Sequence, residues 1–190
     1  MKKIVLAIAL ACFALAATAA PETYSIDPSH SAVRFGYDHL GWTFQQHRFD
    51  QFSGKLTLDR AARTASIDVT IDANSINTGS ALFNGQLKEA RFFDAANHPS
   101  ISFKADQAKF DGDKLVSITG DLNIKGISKP VTLKLNSFVA GPHPIQKKRD
   151  GIGANAVAKV NRSDFGMDFQ VPLVADEVAL AFTVQAFKDR

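Results

Sequence analysis

Residues 116–124 read Val-Ser-Ile-Thr-Gly-Asp-Leu-Asn-Ile, and this stretch decides the fold class of the chain. Apolar residues occupy every second position except Gly120, so in a β-strand one face would be buried while the other faced water. Lys125-Gly126 follows as a two-residue turn, and residues 131–136 (Val-Thr-Leu-Lys-Leu-Asn) alternate again. This pattern predicts an antiparallel β-hairpin.

The same two-residue period recurs along the chain on both sides of this hairpin. Turn-forming sequences separate the runs, as at Asp111-Gly112-Asp113 and, in a longer connection, at residues 59–63. Between Val178 and Val184 the large apolar residues share one face. The predicted strands are residues 31–38, 55–58, 66–72, 101–104, 116–124, 131–136, 151–160 and 177–187, and residues 142–150 are predicted to form a loop.

One segment departs from strand periodicity. Between Ser80 and Phe93 the apolar residues recur at mixed spacings of three, four and five. Ser80 is a residue type that favours the N-cap position of a helix. We therefore predict one short helix in this segment, interrupted or ended near Arg91.

The predicted elements fit a single all-β domain. About eight antiparallel strands must protect their edges from pairing with other chains, and closure into a barrel removes the edges altogether. A β-sandwich is the alternative architecture for this pattern. We predict an antiparallel β-barrel of about eight strands with one short helix, in one domain over residues 20–190.

Residues 1–19 have the layout of a secretory signal peptide. Two lysines precede an apolar stretch that ends at Leu15, and Ala17-Thr18-Ala19 is a small-residue cleavage site. The stretch is too short to span a bilayer, which takes about 20 residues. We expect cleavage before Ala20 and localisation in the periplasm. Cys12 is either an acylation site or an ordinary residue of the leader.

The charge of the chain argues against nucleic acid as a partner. The net charge of +3 falls to about +1 when the two lysines of the leader are removed, and the two signs are interspersed. A charge this weak does not make a phosphate-binding surface. The basic run Lys147-Lys148-Arg149 lies in a predicted loop. It is either simply solvated or a transient contact with anionic lipid headgroups at a membrane surface.

Phenylalanine is in excess, because the chain has 15 Phe but only 2 Tyr and 1 Trp. Burying one such ring stabilises a fold by about 2–3 kcal/mol, so core filling alone would explain any one of them. An eight-stranded barrel is also wide enough to hold one small ligand, and a Phe-rich lining suits a hydrocarbon chain. The predicted tunnel lining is Val33, Phe35, Phe49, Phe52, Phe92, Phe93, Phe103, Phe165 and Phe169, with Phe44 as a further inward-facing residue.

Six motifs, in order along nearly the whole mature chain, resemble the YceI-like family of polyisoprenoid-binding periplasmic proteins. The opening Tyr24-Ser25-Ile26-Asp27-Pro28-Ser29-His30-Ser31 resembles Y-x-I-D-x-x-H-S. Residues 120–131 (GDLNIKGISKPV) resemble G-x-L-T-I-K-G-V-T-x-P-V, and Arg162-Ser163-Asp164-Phe165-Gly166 resembles R-S-D-F-G. The others are Phe52-Ser53-Gly54, Asn74-Ser75-Ile76-Asn77-Thr78, and Phe92-Phe93-Asp94 with His98-Pro99-Ser100-Ile101-Ser102-Phe103 close behind.

The resemblance implies a lipocalin-like barrel with an elongated apolar tunnel. It implies binding or transport of a long-chain lipid (polyisoprenoid, isoprenoid quinone or fatty-acyl amphiphile) without catalysis and without a resident cofactor. Relatives are sometimes associated with a membrane di-haem cytochrome b, which adds quinone as a ligand and such a cytochrome as a partner. The chain departs from the family at His47-Arg48-Phe49, where many members have Gly-x-Phe, so the tunnel opening and the ligand are expected to differ there. The chain is expected to be a monomer or a homodimer.

Two sets of polar residues raise catalytic or metal interpretations. His30 and Ser31, with Asp27 or Asp164, contain the residue types of a hydrolase triad. Neighbours on a strand point to opposite faces, and the chain has no G-x-S-x-G elbow, so we expect His30 and Ser31 to satisfy backbone groups instead. The five histidines, at 30, 39, 47, 98 and 143, have no spacing typical of a metal site. We predict neither a catalytic nor a metal-binding residue.

Residues 162–166 are predicted to form a turn. In this turn Asp164 would bond its own backbone, Gly166 would adopt a positive φ and Phe165 would point inward. Contact of Arg162 or Asp164 with a ligand head group is the alternative.

Three functions from different classes fit these observations. A lipid carrier needs a void with an apolar lining. An enzyme acting inside the barrel, such as an esterase or isomerase, needs a titratable group that faces the lumen. A stress or interaction protein with a filled barrel needs phenylalanine rings in mutual contact and no continuous void.

Overall fold

Residues 20–190 are described by a computed structural model, and the predicted signal peptide with Cys12 lies outside this range. The strands are β1 (Glu22–Ile26), β2 (Ala32–His39), β3 (Thr43–Phe49), β4 (Phe52–Asp59), β5 (Thr64–Asp72), β6 (Ile76–Asn77), β7 (Ser100–Asp111), β8 (Lys114–Ile124), β9 (Ile127–Pro142), β10 (Asp150–Asn161) and β11 (Glu177–Lys188). The α-helix is α1 (Ala81–Leu87).

Eight of the strands close into an antiparallel barrel. Their order is β1-β4-β5-β7-β8-β9-β10-β11, and β1 pairs in turn with β11. Closure leaves none of these eight strands as a free edge, so the barrel is protected from pairing with the strands of other chains. The predicted all-β barrel with one short helix is confirmed, and the sandwich alternative is wrong.

A sharp bend splits the beginning of the chain into two strands that share one partner. Both β1 and β2 pair with β11, at Ile26–Ala186 and at Ala32–Thr183. Between them, the Ser31 hydroxyl accepts a hydrogen bond from the backbone N–H of Gln185 at 2.9 Å. The bend starts a branch, β2-β3-β6, that extends from β11 beside the barrel. The sequence did not predict β1, β3 or β6 as strands.

The barrel has two distinct ends. The upper end carries the β2–β3 turn, the segment 73–99 with α1, the β8–β9 turn and the segment 162–176. The lower end carries the turns 60–63 and 112–113 and the loop 143–149. The N-terminal side of β1 and the C-terminal side of β11 also lie at the lower end, because β1 is paired with the last residues of β11.

The predicted turns and the predicted helix are present with small differences. Lys125 and Gly126 both have positive φ, 52° and 74°, as a type I′ hairpin requires. The Ser80 hydroxyl caps α1 by accepting from the N–H of Phe83 at 3.4 Å. The helix ends at Leu87, before Arg91, because the chain then turns back and the N–H of Phe93 bonds the Leu87 carbonyl at 3.0 Å. Within 20–190, no helix has the length and apolar character needed to cross a membrane.

A close approach of two backbones explains the exception in the alternation of residues 116–124. Gly120 faces Ala105 across the β7–β8 ladder, beside an irregularity in β7 between Ala105 and Gln107. A Cβ atom at Gly120 would overlap the backbone oxygen of Lys104. Glycine is therefore required at this position by space.

Candidate ligand-binding cavity

A cavity of about 220 Å³ lies inside the barrel. All eight barrel strands contribute side chains to its wall, from Ile26 of β1 to Val184 of β11. The lining is aliphatic and aromatic apart from a few residues, and these are Arg34, Tyr37, His39, Arg162 and Gln170. A surface of this kind offers contact but few hydrogen bonds to a ligand, so it suits a hydrocarbon.

The lower end of the barrel is filled. Tyr24, Leu58, Ile152 and Ala186 are between 0% and 3% exposed and do not line the cavity. Outside the barrel, the loop 143–149 packs against β11, where the Arg149 guanidinium lies 3.8 Å from the ring centre of Phe187. The barrel is therefore filled at the lower end around β1 and the end of β11, where these side chains meet.

Aromatic rings cover much of the upper end but leave it in contact with solvent. Phe92 and Phe169 meet edge to face, with ring centres 5.8 Å apart. Phe93 reaches down to Phe35 and Phe49, at 5.8 and 5.4 Å between ring centres. Phe169 lines the cavity yet is 38% exposed. The cavity consequently reaches the surface beside Phe169.

The structure brings most of the predicted lining together. The residues that surround the cavity are Val33, Phe35, Phe49, Phe92, Phe93, Phe103, Phe165 and Phe169. Phe52 is half-buried and packs against the core, but it does not line the cavity because it stands at the very start of β4, next to the turn after β3. Contact of these side chains with a ligand stays a prediction.

The inward orientation predicted for Phe44 is wrong. Its ring is 55% exposed and covers the outer side of Gly36. Phe44 and Phe49 are five residues apart on β3, and an odd separation on a strand puts two side chains on opposite faces. Since Phe49 points inward, this parity could have identified Phe44 as an outward residue from the sequence.

The same parity places His47 inside, although the residue was not predicted to face inward. His47 is 5% exposed, and its ring packs against Phe35 and Phe83 with ring centres 5.5 and 5.3 Å away. Its Nε2 lies 3.3 Å from the Tyr37 hydroxyl, whereas its buried Nδ1 has no partner. Burial lowers the pKa of His47 because the charged imidazolium would lose its hydration. One member of the stretch 47–49, which the sequence singled out as unusual, is thus a histidine buried beneath the upper end.

Arg162 holds the segment 162–176 in place. Its guanidinium donates hydrogen bonds to four backbone carbonyls, those of Met167 (2.6 Å), Val174 (2.9 Å), Phe169 and Ala175 (both 3.0 Å). Burial lowers the pKa of Arg162, although nearby carboxylates such as Asp176 oppose the shift. The side chain is therefore a structural clamp, and its donors are turned to the backbone of this segment.

The predicted turn at residues 162–166 is present with a different capping residue. Gly166 has φ of 69°, and Phe165 is 1% exposed and points into the barrel, as expected. The backbone N–H of Ser163, however, donates to the carboxylate of Asp176 at 2.9 Å. Asp164 is exposed and makes no such bond, because Asp176 approaches from the other end of the segment.

The residues proposed as a triad do not form a relay. His30 is exposed, and its Nδ1 lies near both the Asp27 carboxylate (2.8 Å) and the Ser29 hydroxyl (3.0 Å). A relay needs two different ring nitrogens for the acid and the serine. These contacts, with that of Ser31 to Gln185, shape the bend before β2. Only for Ser31 is the predicted bond to the backbone confirmed. Across residues 20–190, the His, Cys, Asp and Glu side chains form no group of three suited to a metal ion.

Comparison with known proteins agrees with this architecture. The chain is 32% identical over 194 residues to the protein YceI of Escherichia coli O157:H7, and the match covers 100% of both chains. Among solved structures it resembles BcnA of Burkholderia cenocepacia, with a TM-score of 0.72 and 24% identity over 84% of this chain and 98% of that one. It also resembles a polyisoprenoid binding domain from Saccharophagus degradans implicated in plant cell wall breakdown, with a TM-score of 0.63 and 18% identity over 88% and 98%.

The two solved structures support the fold, and the full-length sequence match supports common descent. The model of the YceI-like domain matches residues 24–186, which is the whole barrel from β1 to the end of β11. A barrel that encloses an apolar cavity, a matching family model and a full-length relative together show that this chain belongs to the YceI-like family.

Proposed function

We propose that this protein binds the apolar chain of one lipid in its cavity and carries it through the periplasm without catalysing a reaction. The observation that carries the proposal is the lining, which is aliphatic and aromatic on every strand of the barrel. The ligand class is that of the polyisoprenoids, isoprenoid quinones and fatty-acyl amphiphiles. The structural likeness to a polyisoprenoid binding domain supports the same class.

The shape of the cavity sets the direction in which a lipid enters. Because Tyr24 and Ile152 fill the lower end, the tail goes in first and the head group stays near the upper end. There, the polar residues of the lining include Gln170 and His39. Each methylene group that leaves water contributes about 0.8 kcal/mol, so affinity grows with the length of chain accommodated. A quinone head held at this end is accessible to a membrane cytochrome b.

The alternatives fit the structure less well. The described lining contains no Ser, Cys, Asp, Glu or Lys side chain. Its titratable groups are Arg34, Tyr37, His39 and Arg162, so no nucleophile stands beside His39 in the lining, and Arg162 already bonds four carbonyls. The barrel is also not filled, although Phe35, Phe49 and Phe93 are in mutual contact. A carrier needs only the void and the lining.

The test is native mass spectrometry of protein purified from the periplasm without detergent, followed by extraction into organic solvent. We expect an added mass that extracts as a polyprenyl, quinone or acyl chain. Ala154 lines the cavity on β10, so Ala154→Phe places a ring inside the void. Val157→Phe is the matched control, since Val157 is exposed on the outer face of the same strand.

The two variants separate lumen binding from other lipid contacts. Ala154→Phe is expected to reduce the bound fraction at least tenfold, whereas Val157→Phe leaves it unchanged. A clean unliganded mass that persists after incubation with polyprenols, ubiquinone and fatty acids would refute the proposal. Equal lipid retention in both variants would place the lipid outside the barrel and would also refute the proposal.

A further inference from the structure

Large apolar side chains that are exposed to solvent gather at the upper end of the barrel. Of the ten such residues found in 20–190, seven lie at or beside this end. Monomeric proteins seldom expose apolar side chains in one contiguous region unless that region makes a contact. The seven are Leu40, Trp42, Phe44, Leu82, Ile127, Phe169 and Leu173.

The most exposed of them come from three segments that are separate in sequence. Trp42 is 88% exposed in the β2–β3 turn, Leu82 is 77% exposed on α1, and Leu173 is 70% exposed in the segment 162–176. We call Trp42, Leu82 and Leu173 the apolar tips. The segments that carry Trp42 and Leu173 meet at a bridge between His39 and Val174. The cavity lining includes Phe83 and Val174, the immediate neighbours of two of the tips.

Backbone hydrogen bonds hold the segments that carry Trp42 and Leu173. The N–H of Trp42 donates to the His39 carbonyl at 3.1 Å, in a turn whose Gly41 N–H is capped by Asp38 at 2.7 Å. Leu173 precedes Val174, whose N–H bonds the Gln170 carbonyl at 2.9 Å and whose carbonyl accepts from Arg162. The fold therefore presents these side chains to water in fixed positions.

Charge around the upper end is balanced. Arg91 pairs with Glu89 at 2.9 Å, and its guanidinium lies 4.7 Å from the ring centre of Phe169. The basic run 147–149 is at the lower end, and its Arg149 stacks on Phe187. The segments 73–99, 125–126 and 162–176 together carry four basic and five acidic side chains, so the net charge of the upper end is near zero and fits a zwitterionic lipid surface. The basic run, which from the sequence is either solvated or a membrane contact, lies at the opposite end of the barrel.

We propose that the upper end docks on the interface of a phospholipid bilayer, with the apolar tips inserted among the lipids. This proposal rests on the lipid-binding function proposed above and names the surface through which the ligand passes. Phe169 belongs to both the exposed apolar residues of this end and the cavity lining, so the exposed apolar surface and the lumen share a side chain. A bilayer covers the tips and supplies a water-insoluble ligand at the same place, whereas a protein that covered them would seal the cavity.

The chain carries its own reporter of this contact. Trp42 is the single tryptophan, so the intrinsic tryptophan fluorescence of the protein comes from one of the apolar tips alone. Tryptophan favours the membrane–water interface. With vesicles of phosphatidylcholine, we expect a blue shift of its emission, quenching by phosphatidylcholine brominated on the acyl chains, and flotation of the protein with the vesicles.

Paired variants that keep Trp42 test the contribution of the other tips. Leu82→Ser with Leu173→Ser is expected to lower the partition coefficient at least tenfold. Val139→Ser with Ile145→Ser is the control, because these residues are as exposed but lie away from the upper end, and it should bind like the wild type. Unchanged thermal unfolding of both pairs confirms that the fold is intact.

Three outcomes would overturn the docking proposal. One is a Trp42 emission that does not respond to vesicles. Another is binding that needs anionic phosphatidylglycerol and is lost in Lys147→Ala with Lys148→Ala. The third is a concentration-dependent dimer that forms without vesicle binding and is abolished by Leu82→Ser with Leu173→Ser, since the tips would then be a self-contact.

Lumen occupancy, measured separately by native mass spectrometry, distinguishes the two proposals. If the protein retains lipid but does not bind vesicles, only the docking proposal is refuted. A protein that binds vesicles through the tips with a persistently empty lumen supports the docking surface and refutes the carrier function.

Discussion

Replacing Arg162 by methionine removes the clamp on the segment 162–176 while keeping a side chain of similar reach. The guanidinium makes four hydrogen bonds to backbone carbonyls, at distances from 2.6 to 3.0 Å. A hydrogen bond from a charged donor contributes about 1.5–3 kcal/mol. Two effects partly compensate for the loss of four such bonds. The variant no longer carries the cost of burying a charge, and water can hydrate the freed carbonyls near the exposed Phe169. We expect a net loss of about 3–4 kcal/mol in the free energy of unfolding.

This loss is large but survivable for a domain whose total stability is about 5–15 kcal/mol. For a domain of this size it corresponds to a fall in Tm of about 10 °C. Urea unfolding of lipid-free protein measures the free energy directly. Amide hydrogen exchange should rise in residues 166–176 and stay unchanged at the lower end of the barrel, because the clamp acts only on its own segment.

Arg48→Met is the matched control. Arg48 pairs with Asp50 at 2.6 Å, but both side chains are largely exposed, and surface ion pairs contribute at most about 1 kcal/mol. If Arg162→Met lost no more stability than Arg48→Met, the segment would be held by its own backbone bonds and the clamp would be refuted.

Three further changes probe the interior. His47→Leu combined with Tyr37→Phe should raise the free energy of unfolding by about 1 kcal/mol, because the double change removes a buried nitrogen without a partner and leaves no hydroxyl unpaired. Burial lowers the pKa of His47, so just below its unfolded value of about 6.5 only the unfolded chain takes up the proton. The stability of the wild type therefore decreases as the pH is lowered through this range, by up to about 1.4 kcal/mol per pH unit. Urea unfolding from pH 7.5 to 5 should show a smaller decrease for His47→Leu, and parallel curves for the two proteins would contradict the burial. Gly120→Val should lower the free energy of unfolding by more than about 2 kcal/mol or prevent folding, because the new Cβ would overlap the Lys104 carbonyl. Gly153→Val is the control: a Cβ at Gly153 meets open space, so the free energy of unfolding should change by less than about 0.5 kcal/mol in the same assay. Phe103→Ala enlarges the cavity and should lower Tm while increasing the length of the longest acyl chain retained in extracts. An unchanged chain length would show that the size of the cavity does not limit the length of the ligand.

The sequence predicted the barrel where local pattern and tertiary structure agree. Strands β5, β8 and β9 contain alternating runs, and the turns before and after β8 carry residues with positive φ, so local preference alone located them. The split between β1 and β2 was not predicted, because it depends on the pairing of Ser31 with Gln185, which is 154 residues away. Long-range pairings of this kind leave little trace in local periodicity.

The apolar residues of the candidate site were predicted from the sequence, whereas its buried polar residues were not. Phe35 and Phe93 could be assigned to the interior because hydrophobicity alone favours it. His47 and Arg162 are also inside, each for a reason that only the assembled structure shows: one packs between aromatic rings, and the other satisfies four carbonyls. Composition could not have identified either, although parity with Phe49 would have identified His47.

The pairing of β1 with the end of β11 brings the two ends of the described chain together. The Lys188 ammonium lies 2.6 Å from the Glu22 carboxylate, and the N–H of Asp189 donates to the Thr23 carbonyl at 2.8 Å. Adjacent termini are the condition under which a protein tolerates circular permutation. A short linker from Arg190 to Ala20, with new ends opened in the exposed loop 143–149, would preserve every barrel pairing. A sensor module fused to either arrangement would sit at the lower end, opposite the opening of the cavity.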